Sequence, residues 1–90
     1  MDEQAFRQML SQNGYPEPVS VEWDSGNFTG QHTHDFDARG LVLSGRFTLS
    51  TEAGATNHGP GDTFALDAGL PHSERTYDEK VCLLIGRAPR

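Results

Sequence analysis

The stretch His32-Thr33-His34-Asp35-Phe36-Asp37-Ala38-Arg39-Gly40-Leu41-Val42-Leu43-Ser44-Gly45 joins two strand patterns and decides the fold. Residues 28–34 read as a strand interrupted by Gly30. Successive side chains of a strand point to opposite faces, so His32 and His34 share one. Leu41-Val42-Leu43 reads as a buried strand ending at Ser44-Gly45. Phe47, Leu49 and Thr51 then alternate with Thr48 and Ser50, which makes Ser44-Gly45-Arg46 the tight turn of a hairpin.

The same period of two extends in both directions. Upstream, Val19, Val21 and Trp23 alternate with Ser20, Glu22 and Asp24 as a half-buried strand, and Ser25-Gly26-Asn27 is a turn. Downstream, residues 52–62 are rich in Gly, Asn and Pro and predict a loop or an irregular hairpin. Residues 63–66 are a strand, 67–71 a turn, and 73–77 and 81–85 two last strands joined at Asp78-Glu79-Lys80. Short strands with turn signals every ~8–12 residues predict an all-β antiparallel sandwich or barrel. The start of the chain differs. Ala5, Phe6, Met9 and Leu10 fall on one helical face, Asp2 can cap it, Asn13-Gly14 stops it, and Pro16 and Pro18 bar its continuation. The expected division is therefore a short N-terminal α-helix over residues 1–14 and a barrel over 15–90, in one domain. The apolar stripe of so short a helix must dock, on its own barrel or on a second copy of the chain. Together with the apolar run Val81-Cys82-Leu83-Leu84-Ile85, it predicts a homodimer.

Composition removes several classes of function. The 90 residues carry 13 acidic and 7 basic side chains, a net charge of −6, with Lys80 the one lysine. No basic face for nucleic acid is expected. No apolar run reaches the ~18 residues of a membrane span, and residues 1–14 lack the basic and apolar regions of a signal peptide. Cys82 is a single cysteine and forms no internal disulfide, so a cytoplasmic location is expected. It reads as a small buried hydrophobe.

The histidines carry the chemistry. Two imidazoles side by side on one strand face suit a transition metal, although an isolated His-x-His pair also fits two solvated side chains. His72 follows a turn and can close a set of three. Glu74 lies two residues beyond His72 and shares its face, as a supporting or general-base carboxylate or as a surface group. His58, in the Gly/Asn-rich segment, reads as a solvated bystander. Arg39 and Arg46 flank Leu41-Val42-Leu43. Arg39 is a candidate anion binder near the site, set against a solvent-facing arginine. Trp23, Phe28, Phe36, Phe47, Phe64 and Tyr77 read as core or pocket walls, with Phe36 the aromatic placed to touch a ligand.

The segment 32–45 resembles the first motif of the cupin family: a His-x-His pair, usually a Glu a few residues on, then a Gly after six more. Gly61-Asp62-Thr63-Phe64-Ala65-Leu66-Asp67-Ala68-Gly69-Leu70-Pro71-His72 is similar to the second motif, with Pro60-Gly61-Asp62 a familiar lead-in. The resemblance covers residues 19–86. It implies a double-stranded β-helix barrel, a jelly roll, with a site in its mouth. His32, His34 and His72 match three ligand positions of the family. The family's Glu falls at Ala38, or at Arg39 with one residue of length variation, and neither can hold a metal. Asp35 and Asp37 are near but have the opposite strand parity; a bulge re-aiming Asp37 would make it a further ligand or catalytic candidate beside Glu74. Asp67 replaces the motif's usual Pro and reads as a turn residue, and the family's late Asn falls at Thr76.

The resemblance implies a divalent transition metal (Fe, Ni, Mn, Zn or Cu) held by three histidines, and a small-molecule ligand in the barrel. Without the carboxylate the site gains positive charge and an open coordination position. Such a site suits dioxygenase-like, isomerase-like or decarboxylase-like chemistry. The alternatives are a non-catalytic sensor that binds a small molecule and a scaffold whose site is vestigial. The expected partners are a small molecule and a second copy, not nucleic acid or a membrane.

Overall fold

A computed structural model describes residues 1–89. Helix α1 (Glu3–Gln12) precedes eight strands: β1 (Val19–Trp23), β2 (Phe28–His32), β3 (Phe36–Ser44), β4 (Phe47–Thr51), β5 (Gly54–His58), β6 (Thr63–Leu66), β7 (His72–Thr76) and β8 (Val81–Pro89). The pairing is nested. β4 pairs with β5, β3 with β6, β2 with β7 and β1 with β8, as in one long hairpin folded back at its middle. Rolling that hairpin adds the pairs β3–β8 and β4–β7 and yields two antiparallel sheets, ordered β1-β8-β3-β6 and β2-β7-β4-β5. This is a jelly roll.

The elements depart from the sequence reading at three places. β2 ends at His32, so His34 lies just beyond the strand. β3 starts at Phe36 rather than Leu41, and Leu43, expected to be buried, is 40 % exposed. The Gly/Asn-rich segment contains a full strand, β5, exposed along most of its length at the edge of its sheet. The backbone confirms the hairpin turn between β3 and β4. Gly45 has φ +83°, a left-handed conformation that costs other residues energy, and a Cβ there would meet Lys80 O at 2.3 Å.

Between the sheets the inward residues of β3, β4, β6 and β8 form the main core, with Phe47, Phe64, Val81 and Leu83 at its centre. Trp23 and Phe64 meet the Phe47 ring edge-on, at 5.1 and 5.3 Å. Gly40 is part of this packing, because a Cβ there would sit 2.1 Å from the Phe64 ring. Two of the aromatics read as core or pocket wall lie at the surface. Phe28 is 54 % exposed beneath the Arg75 guanidinium, and Tyr77 is 49 % exposed with its hydroxyl on Thr48.

α1 docks on its own barrel. Asp2 caps it by accepting the Ala5 N–H at 2.8 Å, and Phe6 and Leu10 pack on Leu41 and Leu84 across the outer face of β3 and β8. The apolar run of β8 is likewise consumed within the chain: Val81, Leu83 and Ile85 face the core and Leu84 faces the helix. Cys82, expected to be buried, is half-buried beside Glu22 of β1. No helix is long and apolar enough to cross a membrane among the described residues.

Phe6 is fully buried, and truncating such a ring costs about 3–5 kcal/mol. Against a total stability of about 5–15 kcal/mol, Phe6→Ala should lower the denaturant midpoint sharply while leaving the unfolding slope unchanged. A loss below about 1 kcal/mol would show that the helix is not part of the folded unit.

Candidate metal centre

The site is built where β2 pairs with β7. Thr29 lies opposite Glu74 and His32 opposite His72, with a bulge between. The bulge, at Gly30 and Gln31, lets Thr29 and His32 point inward together although their spacing is odd. His34, past the strand end, is fixed by its carbonyl, which accepts the Gly69 N–H at 2.8 Å. The three imidazoles converge: the ring centroids of His32, His34 and His72 lie 4.4–5.1 Å apart. One nitrogen from each lies within 4.8 Å of the others. Nitrogens on one tetrahedral ion at ~2.1 Å lie ~3.4 Å apart, so the imidazoles would close by at most about 1.4 Å on a metal.

The protonation pattern follows from the hydrogen bonds. His32 Nδ1 lies 2.7 Å from Gly30 O, and His72 Nδ1 2.9 Å from Leu70 O. A carbonyl only accepts, so both Nδ1 atoms carry hydrogen and donate. In the neutral rings the lone pair is then on Nε2. His72 is 2 % exposed, and its Nε2 is buried with no hydrogen-bond partner. Its neighbour is Glu74 Oε1 at 3.4 Å, an ion-pair distance without hydrogen-bond geometry, and Glu74 Oε2 lies 3.7 Å from His32 Nε2. Burial, reinforced by His72 and His32 and opposed by Glu74, holds the His34 pKa below the ordinary imidazole value.

Above His32 and His34 is a cavity of about 180 Å³ with walls from both sheets, Glu74 among them. The first sheet supplies Trp23, Phe36, Ala38 and Leu66, and Arg87 stands at the rim with its guanidinium 5.6 Å from the Phe36 ring centroid. Phe36 stacks on His34 at 4.7 Å, so it does sit against the centre.

Other candidates lie elsewhere. The bulge that would re-aim Asp37 is absent. β3 keeps an unbroken register against β8 from Phe36 to Val42, and Asp37 Oδ1 accepts the Ala68 N–H at 2.8 Å in the β6–β7 turn. Arg39 lies over the Tyr15 ring rather than at the site. His58 packs against Phe47 and Phe64 and hydrogen bonds Thr56. Thr76, at the family's Asn position, donates from its hydroxyl to Asp24 O at 2.6 Å and accepts the Asn27 N–H, tying down the β1–β2 turn. Thr29 and Arg87 were not read as site residues. Continuing the inward parity of Val81, Leu83 and Ile85 past residue 85 would have reached Arg87.

No family model matches the chain. The secreted form of the mouse immunoglobulin gamma-2A constant region is 35 % identical over 68 residues, 74 % of this chain and 19 % of that protein. Among solved structures, the cupin domain of Schizosaccharomyces pombe Cnp3 superposes with TM-score 0.71 at 18 % identity, over 83 % of this chain and 55 % of that one. The chain has the cupin fold. This cupin barrel also superposes on the DMSP lyase DddQ of Ruegeria pomeroyi (TM-score 0.67, 28 % identity, 77 % of this chain and 36 % of the lyase). For KdgF from Halomonas the TM-score is 0.67 and the identity 23 %, over 83 % and 73 % of the two proteins. The chain thus spans about a third of the lyase and a fifth of the immunoglobulin.

The depressed His34 pKa sets a pH dependence. The folded protein resists protonation there, while the unfolded chain titrates near 6.5. This contribution to stability is complete above the unfolded value and is lost as pH falls through the folded one. The metal-free melting temperature should therefore drop between about pH 7.5 and pH 5.5, and less so in His34→Gln. Equal drops in both proteins would contradict the assignment.

Proposed function

We propose that this cupin binds a divalent transition metal through His32, His34 and His72 and accepts a small anionic molecule in the cavity above it. The observation that carries the reading is the buried Nε2 of His72. Its nearest charged neighbour is the Glu74 carboxylate, with Oε1 at 3.4 Å, and the Nε2 of His32 lies 3.7 Å from Oε2 of the same group. Acceptors that face each other in a largely enclosed space repel unless a cation lies among them. Three neutral imidazoles with Nδ1 fixed by carbonyls are suited to nitrogen-liking metals such as Fe, Ni, Zn or Cu.

The cavity suits a ligand of few atoms. Its volume of about 180 Å³ is close to the ~150 Å³ that holds a benzene. The walls are mostly apolar, and the one cationic side chain lining them, Arg87, makes no ion pair among the described residues. It stands across β3 from Ala38, whose methyl leaves room where the family's Glu would project. A short apolar body with a carboxylate end fits this arrangement. A bound metal would supply Lewis-acid polarisation of an oxygen of such a ligand. Arg87 would orient its anionic end, and Trp23 and Leu66 would exclude water. That an enzyme, the DMSP lyase, has a barrel of this shape supports a catalytic role. The unpaired thiol of Cys82 supports a reducing, cytoplasmic setting.

Titrating metal-stripped, tag-free protein with Co(II) should show about one equivalent bound. His72→Ala should weaken uptake by about 100-fold or more with the barrel still folded. Uptake below about 0.1 equivalent by the unaltered protein would end the metal reading. For the ligand, butyrate should perturb the Co(II) absorption and butyramide should not, and Arg87→Gln should abolish the difference. Equal responses to acid and amide would remove the anionic specificity.

A further inference from the structure

We infer that Glu74 is a fourth metal ligand, supplying from β7 the carboxylate that Ala38 removes from β3. The inference rests on the metal reading above and names a residue that neither the motif nor the set of mutually close histidines contains.

Glu74 is 8 % exposed, and its carboxylate is the buried one among the described side chains. It straddles two histidines, with Oε1 3.4 Å from His72 Nε2 and Oε2 3.7 Å from His32 Nε2. Ligands around one ion are separated by ~3.4 Å in a tetrahedral arrangement with ~2.1 Å bonds, so these separations are ligand-to-ligand distances. In the neutral rings both nitrogens carry lone pairs, because the Nδ1 atoms donate to Gly30 O and Leu70 O. Neither Nε2 therefore offers Glu74 a hydrogen in the neutral ring. Thr29 fixes the carboxylate instead: its hydroxyl donates to Oε2 and accepts the Glu74 N–H at 3.1 Å. Oε1 lies 3.4 Å from His72 Nε2, with no hydrogen bond between them.

Charge balance points the same way. Three neutral imidazoles leave a divalent ion with its full charge between apolar walls, which is costly to bury. Position 38 offers only a methyl group, and Asp37 is turned to Ala68. Glu74 is the carboxylate that the strand pairing brings to the histidines, and binding it halves the net charge.

The test separates a ligand from a carboxylate that merely supports the histidines. Glu74→Cys loaded with Co(II) should develop an intense near-ultraviolet thiolate-to-cobalt charge-transfer band. The unaltered protein, which already carries the thiol of Cys82, should lack it. Glu74→Gln keeps the shape and should alter the visible Co(II) bands and weaken Co(II) binding by about 10-fold or more. The inference is overturned if Glu74→Cys loads Co(II) without the band. It is equally overturned if Glu74→Gln retains the unaltered protein's visible spectrum, and this second variant decides the matter should Glu74→Cys not fold. Failure of the unaltered protein to take up Co(II) is a different result: it removes the metal reading itself, and the inference with it.

Discussion

Between Thr29 and His32 strand β2 carries one residue more than β7 carries between Glu74 and His72, and the rest of the site depends on that mismatch. In a regular ladder Thr29 and His32 would face opposite sides of the sheet. The bulge at Gly30 turns both inward, so that a hydroxyl fixes the Glu74 carboxylate while an imidazole faces it. The same irregularity brings Gly30 O within reach of His32 Nδ1, which selects the tautomer. One inserted residue thus sets the side-chain direction, the proton position and the carboxylate orientation together.

The other sheet is shaped by omission. β3 presents Phe36, Ala38, Gly40 and Val42 inward, with two small residues in the middle. Gly40 admits the Phe64 ring, which closes the floor of the barrel against Phe47. Ala38 leaves the space above open, and the cavity begins there. A barrel of this size has little apolar surface with which to stabilise a cavity. Part of the compensation lies outside the barrel, where Phe6 and Leu10 of α1 cover Leu41 and Leu84.

This sheet explains what the sequence revealed and what it hid. β1 and β4 are legible from alternation and β8 from its apolar run, and the paired motifs locate the three histidines. β3 was read too short because Ala38 and Gly40 carry almost no hydrophobic signal. β5 reads only as a loop or an irregular hairpin because its Gly-Ala-Thr-Asn-His sequence lies exposed at a sheet edge, with no buried face to impose a period. Parity placed Glu74 correctly on the face of His72. It could not show Thr29 on the face of His32, because a bulge breaks the parity on which the reading relies. Nearness to the histidines in sequence makes Arg39 a candidate anion binder beside its solvent-facing reading, and offers no such signal for Arg87. In the barrel it is β8, reading inward through Ile85, that reaches the mouth.

The two sheets consequently divide the labour. His32 and Glu74 belong to the paired strands β2 and β7, His72 begins β7, and His34 follows β2, so every group proposed to hold the metal comes from one sheet and its edge. The opposite wall, from β3 and β8, presents Phe36, Ala38 and Arg87 and no group that competes for a metal. With a glutamate at position 38 that wall would reach toward the metal and fill the space beneath Arg87. On the proposed reading, placing the carboxylate on β7 would keep the charge compensation and free the facing wall, so that an incoming anion could meet the guanidinium on that wall. On that same reading, the missing motif residue would be the change that gives the cavity its charge preference, and the metal-holding groups and the anion-facing wall could vary independently because they lie on different sheets.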